Sequence, residues 1–575
     1  MSTGPECGIA SRGEGVLARL TRLDPAQRAA VGAALNARRL RGHECVARGL
    51  RALGVTHVYA MPGLPTDETI GACVRAGLKT TGTRHQQAAV MMAAAHNYVA
   101  GRLVSVAVVS AGVAVANAIT GVSVAQQNGW PVLLLAGAVD CSIHGDAAFM
   151  AFDGMSTLAG LAKACFRVNS ADQLESVLAD AVRTAVVGRP GAVYVELPED
   201  CLAACAVPAS KGADVTWPAV APEHCDPVAL QQAVELLAGA QRPLVVFGKG
   251  VRWDDAYSTL RDLVEQLPAP FIASPMGRGL LSDCHPLART ADQTHLLGAA
   301  DVLLVAGARL NWTFRHGAGI APGARIIQID CAAEAFDEGP PRAVTLCGTA
   351  AAILPPLLEG VRKRRASGTH RPSAHWPPAP TVFTVGSVPG GAASRRPAPD
   401  ELAAALARLL PPDAVVVLDG NVTLLAAQLH IAARTPLSRL TPGTSGCMGT
   451  GLPFALGAAQ ASPGRPVILV TGDMALGLNF FEFETAVRHE VPVVVVLANN
   501  DGPSGARRQH KVMPEACDQP VLVYQDGLRY DEMARQLGAY AEYADTLDAL
   551  PAALERALAC GRPALIQIQV DQLES

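Results

Sequence analysis

The sequence predicts an α/β protein with three doubly wound parallel-sheet domains behind an N-terminal helical extension. Three observations carry this. Short, largely apolar runs such as Val104–Ser110, Val302–Ala306 and Pro466–Val470 alternate with helix-compatible stretches, and strands buried on both faces read as near-continuous apolar runs. Two stretches rich in Pro and small residues, 207–222 and 362–399, punctuate the alternation. Half of the 575 residues are hydrophobic and 17% are charged, enough apolar surface for several cores.

Residues 1–40 are expected to form the helical extension. Asp24-Pro25 reads as an N-cap followed by a first-turn proline, and Val31 and Leu35 share a face beyond it. This helix either packs on the domain behind it or docks a partner. The first domain, 41–205, has strands at Val104–Ser110, Pro131–Ala138 and Ala192–Leu197. The central domain, 223–365, has them at Pro243–Phe247, Pro270–Ala273, Val302–Ala306 and Arg325–Ile329. The third domain, 400–575, contains Pro466–Val470, a helix at Asn479–His489, and a strand at Val491–Leu497. The first and third units share an architecture without obvious sequence identity.

A formal net charge of −4 leaves no basic footprint for nucleic acid. No apolar run approaches the ~18–20 residues needed to span a bilayer, and the first residues lack the basic and apolar regions of a signal peptide. The 14 cysteines are scattered, and the close pair Cys201 and Cys205 has no second pair or nearby His to complete a zinc site. Reduced thiols in a cytoplasmic protein are expected.

The densest chemical signal runs from Thr471-Gly472-Asp473-Met474 to Ala498-Asn499-Asn500-Asp501-Gly502. Each segment ends an apolar strand, so Asp473 and Asn500 come side by side at the carboxyl edge of one sheet, where open α/β sheets bind ligands. Carboxylate, amide and carbonyl oxygens are the hard ligands magnesium takes, with phosphate oxygens completing the shell. An N-capping Asp and an Asn-Asp-Gly turn would account for each half separately.

Together the two halves resemble the diphosphate motif of the thiamine diphosphate-dependent, acetolactate synthase-like superfamily. The resemblance implies that Asp473, Asn500 and the Gly502 carbonyl hold magnesium, with Gly472, Met474 and Ala475 beside the diphosphate. Met474 stands where relatives carry glycine; a side chain at that turn is expected to need a permissive backbone and to displace the loop slightly. Arg242–Gly250, Gly307–Trp312, Gln328–Asp330, Asn128–Pro131 and Arg529–Asp531 are similar to the oxalyl-CoA decarboxylase and 2-hydroxyacyl-CoA lyase branch. The resemblance spans about residues 41–570 and implies pyrimidine-binding, central and diphosphate-binding domains in that order. Thr444–Gly449 resembles the loop beneath the aminopyrimidine, with the Gly446 carbonyl and Met448 amide bonding the ring and the Met448 side chain bending the cofactor. Gly420 and Asn421 would offer backbone donors to the diphosphate.

Two departures bear on chemistry. Gln86 stands where relatives carry glutamate, whose carboxyl bonds the aminopyrimidine N1′ and assists loss of the thiazolium proton. An amide hydrogen-bonds there but exchanges no proton at neutral pH. Glyoxylate carboligase, which also lacks the glutamate, remains an enzyme, so catalysis is expected. A cofactor-binding scaffold is the alternative. Ser110-Ala111-Gly112-Val113-Ala114 replaces the relatives' Ser-Gly-Pro-Gly, and nearby Gln126, Gln127 and Asn128 either face a substrate or form a polar loop.

In the central domain the resemblance implies an adenine-nucleotide pocket at Gly248, Lys249, Arg309 and Asp330, for ADP or a CoA-type nucleotide rather than FAD; strand-end turns in a vestigial domain are the alternative. Arg507 and Arg508 either grip a carboxylate or CoA phosphate or form a solvated basic loop. CoA-using relatives run on into a tail that closes the site, whereas this chain reaches Ser575 soon after its last strand. The expectation is therefore a thiamine diphosphate- and magnesium-dependent carboligase or decarboxylase acting on a small 2-oxo acid or acyloin-type donor, with 2-hydroxyacyl-CoA lyase or oxalyl-CoA decarboxylase chemistry as the alternative. Since the family builds each site between two subunits, a homodimer or homotetramer is expected.

Overall fold

The computed structural model describes residues 24, 40–142, 148–206, 225–337, 339–367, 376, 396–503, 512–516 and 519–571. The helix expected within residues 1–40 and the candidate residues Arg507 and Arg508 lie outside them.

The first sheet comprises β1 (His57–Met61), β2 (Lys79–Gly82), β3 (Ser105–Val109), β4 (Val132–Ala138), β5 (Ala164–Arg167) and β6 (Ala192–Pro198). Its order is β2-β1-β3-β4-β6-β5, with parallel ladders. The central sheet, β7 (Pro243–Phe247), β8 (Phe271–Ala273), β9 (Val302–Ala306), β10 (Arg325–Asp330) and β11 (Val344–Cys347), runs β8-β7-β9-β10-β11. The third comprises β12 (Val415–Leu418), β13 (Arg439–Leu440), β14 (Val467–Gly472), β15 (Val494–Asn499), β16 (Tyr540–Ala544) and β17 (Ala564–Gln569). Its order, β13-β12-β14-β15-β17-β16, repeats that of the first sheet.

Every residue of β3, β4, β7 and β9 is buried, which is why those strands read as continuous apolar runs. Among the strands the sequence did not announce, Lys79-Thr80-Thr81-Gly82 forms one edge of its sheet, and β5 is half-exposed at the other. Two boundaries differ from expectation. The linker expected from Arg362 begins later, because a helix runs Ala350–Ala366 and ends on Lys363, Arg364 and Arg365, which suit its negative C-terminal end. The helix expected over 479–489 starts later, running Glu482–Arg488, and a separate short helix, Asp473–Gly477, precedes it. Asn479 lies between the two helices and is turned inward, its Nδ2 donating to the Gly449 carbonyl at 2.6 Å.

Three helices join the domains: α1 (Gln86–Ala100), α2 (Val113–Asn128) and α3 (Gly451–Ala461). Residues 88–99 of α1 are buried all round, as expected of a helix apolar on every face. It packs against α3 so closely that a Cβ on Gly457 would sit 2.3 Å from the Met92 carbonyl oxygen. Behind it, Tyr98 stacks on Trp130 at 4.7 Å between ring centres, and Trp130 meets Phe454 at 4.9 Å. The Tyr98 hydroxyl donates to the Met276 carbonyl of the central domain at 3.0 Å. All three domains therefore share one junction. Among the described residues, no helix is long and apolar enough to cross a membrane.

Gly457→Ala tests this packing. Alanine gains about 1 kcal/mol of helix propensity, but the added methyl meets a backbone carbonyl held in the α1 ladder. A net loss of about 1–2 kcal/mol is expected from overpacking, read as a lower first thermal transition; an unchanged or raised transition would show that α1 and α3 can move apart.

Candidate functional site

The carboxyl ends of β14 and β15 bring three oxygens together. Asp473 opens the helix after β14 and is 2% exposed. Its Oδ1 accepts from the Met474 amide at 2.8 Å and its Oδ2 from the Gly502 amide at 2.8 Å. The buried Asn500 places its amide oxygen 2.9 Å from Asp473 Oδ1 and 3.1 Å from the Gly502 carbonyl oxygen. Either the amide is turned over, so that its nitrogen donates to both, or the three oxygens face a common cation. Adjacent ligands of an octahedral ion with bonds near 2.1 Å lie about 3.0 Å apart, so the spacing fits the second arrangement. Gly502 is required here: its φ is +148°, and a Cβ would lie 2.4 Å from the Leu522 carbonyl oxygen. Asp501 turns away, its Oδ2 accepting from Arg396 Nη1 at 2.9 Å and Gln569 Nε2 at 2.6 Å. The expectation for Met474 is corrected. It lies inside the helix Asp473–Gly477 and is absent from the residues with positive φ, so its side chain demands no special backbone.

Around this point the fold gathers the other expected cofactor segments. A Cβ on Gly420 would lie 3.4 Å from the Gly472 nitrogen, and Asn421 starts the helix beyond it. Asp419, unnoticed as a side chain in the sequence, accepts from the Gly420 amide at 2.7 Å and the Gly451 amide at 2.6 Å. It thereby pins the start of α3 and the end of the 443–449 segment, in which Gly446 is exposed and Met448 half-buried. Ala475 is buried in the helix after Asp473.

Gln86 is the first residue of α1, and its Oε1 accepts from Asn117 of α2 at 3.2 Å. Among the described residues of this one chain, no hydrogen bond joins Gln86 to Met448 or Asp473. The turn before Gln86 is clamped by Glu482, whose Oε1 accepts from the Arg84 and His85 amides at 3.0 Å each. Thr485 Oγ1 donates to its Oε2 at 2.7 Å. In the sequence nothing set Glu482 apart from Glu484 two residues on. Of the polar trio at the end of α2, Gln126 is turned inward, accepting from the Ala192 amide at 3.1 Å.

Gln127 and Asn128 instead line a second feature, a cavity of about 540 Å³ bounded by the first domain, the central domain and Gly443-Thr444. Gly248, Lys249, Arg309 and Asp330 all border it, together with Arg189, which the sequence did not single out. Burial, reinforced by Arg189 and Arg309, pushes the Lys249 ammonium down to about 7. Burial raises the Asp330 carboxyl, which accepts from the Ala332 amide at 3.0 Å. Three cationic side chains facing one space favour an anionic occupant. The cysteine pairing in space also differs from that in sequence: Cys201 lies 3.8 Å, sulfur to sulfur, from Cys141.

Comparison with known proteins matches three consecutive family models. Residues 40–157 match the N-terminal thiamine pyrophosphate-binding domain of thiamine pyrophosphate enzymes, 230–357 their central domain, and 419–568 their C-terminal thiamine pyrophosphate-binding domain. The chain is 30% identical over 550 residues to oxalyl-CoA decarboxylase of Escherichia coli (strain K12), covering 92% of this chain and 95% of that one. The chain belongs to the thiamine pyrophosphate enzyme family. It is also similar to 2-hydroxyacyl-CoA lyase of Oryza sativa subsp. japonica, 29% identical across 94% of this chain and 97% of that one. A probable acetolactate synthase of Mycobacterium bovis is 31% identical across 92% of this chain and 95% of its own.

In this thiamine diphosphate enzyme, three buried acids surround the site's backbone. Burial pushes Asp419 and Asp473 up to about 6 and Glu482 up to about 7, against the hydrogen bonds that lower each. Each folded-state value lies above its unfolded one, so the stability these groups contribute is present at acid pH and lost as pH rises through about 6 to 7. For cofactor-free protein, the urea midpoint is expected to fall between pH 5 and pH 7.5 by way of these groups. Glu482→Gln, which retains the acceptor oxygen, should flatten that fall; an unchanged slope would remove Glu482 from the account.

Proposed function

We propose that the chain uses thiamine diphosphate with magnesium to make or break a carbon–carbon bond beside a carbonyl, in a small 2-oxo acid or acyloin-type donor. The observation that carries this reading is the convergence of the Asp473, Asn500 and Gly502 oxygens at 2.9 and 3.1 Å. Thiamine diphosphate, when bound, supplies stabilisation of a carbanion next to the reacting carbonyl. Asp473, Asn500 and Gly502 hold the cation, and the backbone at Gly420, Asn421, Gly472, Met474 and Ala475 receives the diphosphate. Gly446 and Met448 seat the aminopyrimidine. Gln86 contributes a hydrogen bond without exchanging a proton, so activation is slower than with a carboxyl while orientation is retained.

Gln86 meets Asn117 rather than the cofactor residues of its own chain, which favours a site completed by a second copy, in a homodimer or a homotetramer. Val113, Leu478 and Phe481 support this: they are 73%, 55% and 62% exposed beside the site, apolar surface a second chain would cover. A second substrate reading, a CoA thioester, is favoured by the cavity. Arg189, Lys249 and Arg309 suit the phosphates of ADP or a CoA-type nucleotide, and Asp330 at its strand end suits a ribose hydroxyl, an arrangement that does not call for FAD. The relatives named for oxalyl-CoA and 2-hydroxyacyl-CoA chemistry favour the same reading.

The test supplies thiamine diphosphate, magnesium and a panel of 2-oxo acids and acyl-CoA thioesters. Acyloin or decarboxylated product from a free acid supports the first reading, turnover of thioesters alone the second, and no product from either class sinks both. Asp473→Ala should weaken magnesium-dependent cofactor binding by at least about tenfold. Gln86→Glu should speed thiazolium proton exchange by about 10²-fold or more while changing product formation little, because a ligation step after activation limits the rate. Equal acceleration of both would place the slow step at activation.

A further inference from the structure

Asn128, the last residue of α2, is wholly buried where the three domains meet. Its carboxamide is occupied on both sides. Nδ2 donates to the Pro442 carbonyl at 3.0 Å, while Oδ1 accepts from the Thr444 amide at 3.1 Å and from Lys249 Nζ at 3.3 Å. Between the two third-domain contacts sits Gly443, at φ +63°, where a Cβ would lie 2.2 Å from Asn128 Oδ1. The backbone approaches the amide as closely as glycine alone permits. Pro442–Thr444 leads directly into Gly446 and Met448, and Lys249, Asn128, Gly443 and Thr444 all border the central cavity.

A carboxamide of this length donates to one carbonyl from its nitrogen while its oxygen accepts from an amide and an ammonium. Aspartate keeps the acceptor and sets a charge against the Pro442 carbonyl. An apolar residue leaves the Thr444 amide and the ammonium without this partner in the interior, while the Pro442 carbonyl keeps the Ser445 hydroxyl at 2.7 Å. The distance to the cavity also matters: Lys249 reaches across a domain boundary to hold the same oxygen that holds the loop. We propose that Asn128 is a positioning residue, fixing the height of the Gly446–Met448 segment beneath the aminopyrimidine, and that Lys249 braces it from the cavity side. This rests on the reading of 446–448 as the aminopyrimidine seat.

The test uses full-length protein with magnesium, measuring thiamine diphosphate affinity by calorimetry, the near-ultraviolet circular dichroism of the bound cofactor, and kcat and KM at saturating cofactor. Asn128→Ala should weaken cofactor binding by about tenfold and lower kcat by about tenfold or more through misplacement of the ring, with KM for the 2-oxo acid changed by less than about twofold and an altered dichroism band. Lys249→Met should move affinity and dichroism in the same direction by a smaller factor, without lowering the melting temperature of cofactor-free protein, since it removes a buried cation set beside two arginines. That split is one a merely structural role would not produce. Should Asn128→Ala fail to fold, Lys249→Met decides: affinity and dichroism unchanged from wild type would overturn the proposal. So would an Asn128→Ala protein that melts lower yet binds and turns over like wild type. Wild type that binds no thiamine diphosphate would instead overturn the cofactor reading itself, and this inference with it.

Discussion

Three oxygens held about 3 Å apart in a buried pocket repel one another unless a cation or a turned amide lies between them. Much of the third domain serves to keep them there. The parallel pairing of β14 with β15 sets the strand ends level, with Gly472 opposite Ala498. The helix start at residue 473 gives Asp473 one amide donor, and the tight turn at Gly502 gives it another. Arg396 and Gln569 hold one oxygen of the neighbouring buried Asp501 carboxylate, whose charge adds to the burial that raises the Asp473 carboxyl. A pocket organised in this way is costly when empty and favourable when it holds a cation and phosphates.

The same logic of close approach joins the domains. The first and third sheets repeat one strand order, and α1 and α3 pack face to face with no room for a methyl at Gly457. Because α1 is buried on every side, its N-terminus, where Gln86 sits, cannot drift. Glu482 then fastens the preceding turn through two amides. Rigid elements of this kind hold site residues more tightly than loops do.

What could be read from the sequence follows from what each residue depends on. Strands flanked by others on both sides, such as β3, β4, β7, β9 and β15, announce themselves because burial on both faces requires unbroken Val, Leu, Ile and Ala. Lys79–Gly82 and Ala164–Arg167 do not, since an edge strand tolerates polar residues. The metal-type oxygen cluster was legible because its members lie at the ends of two obvious strands. Asp419, Glu482 and Arg189 were not, because each works through partners distant in sequence: Gly451, Arg84, and a cavity wall from another domain. The later start of the helix at Glu482 was hidden for the same reason, since Asn479 before it is committed to the distant Gly449 carbonyl.

The environment of Gln86 argues that the missing carboxyl is not replaced from nearby. Glu482 is the closest acid in the clamp, but its oxygens already take two amides and a hydroxyl. His85 offers Nδ1 to the Gln87 amide at 3.2 Å, and burial lowers its basicity, so it stands there as a neutral ring. Arg84 carries positive charge and cannot accept a proton. The start of α1 thus presents an amide dipole in a rigid frame rather than a titrating group. On the proposed reading, such an enzyme would rely on placement of the cofactor, through Met448 and the Asp473, Asn500 and Gly502 oxygens, more than on proton transfer at residue 86. That balance suits chemistry whose slow step follows activation.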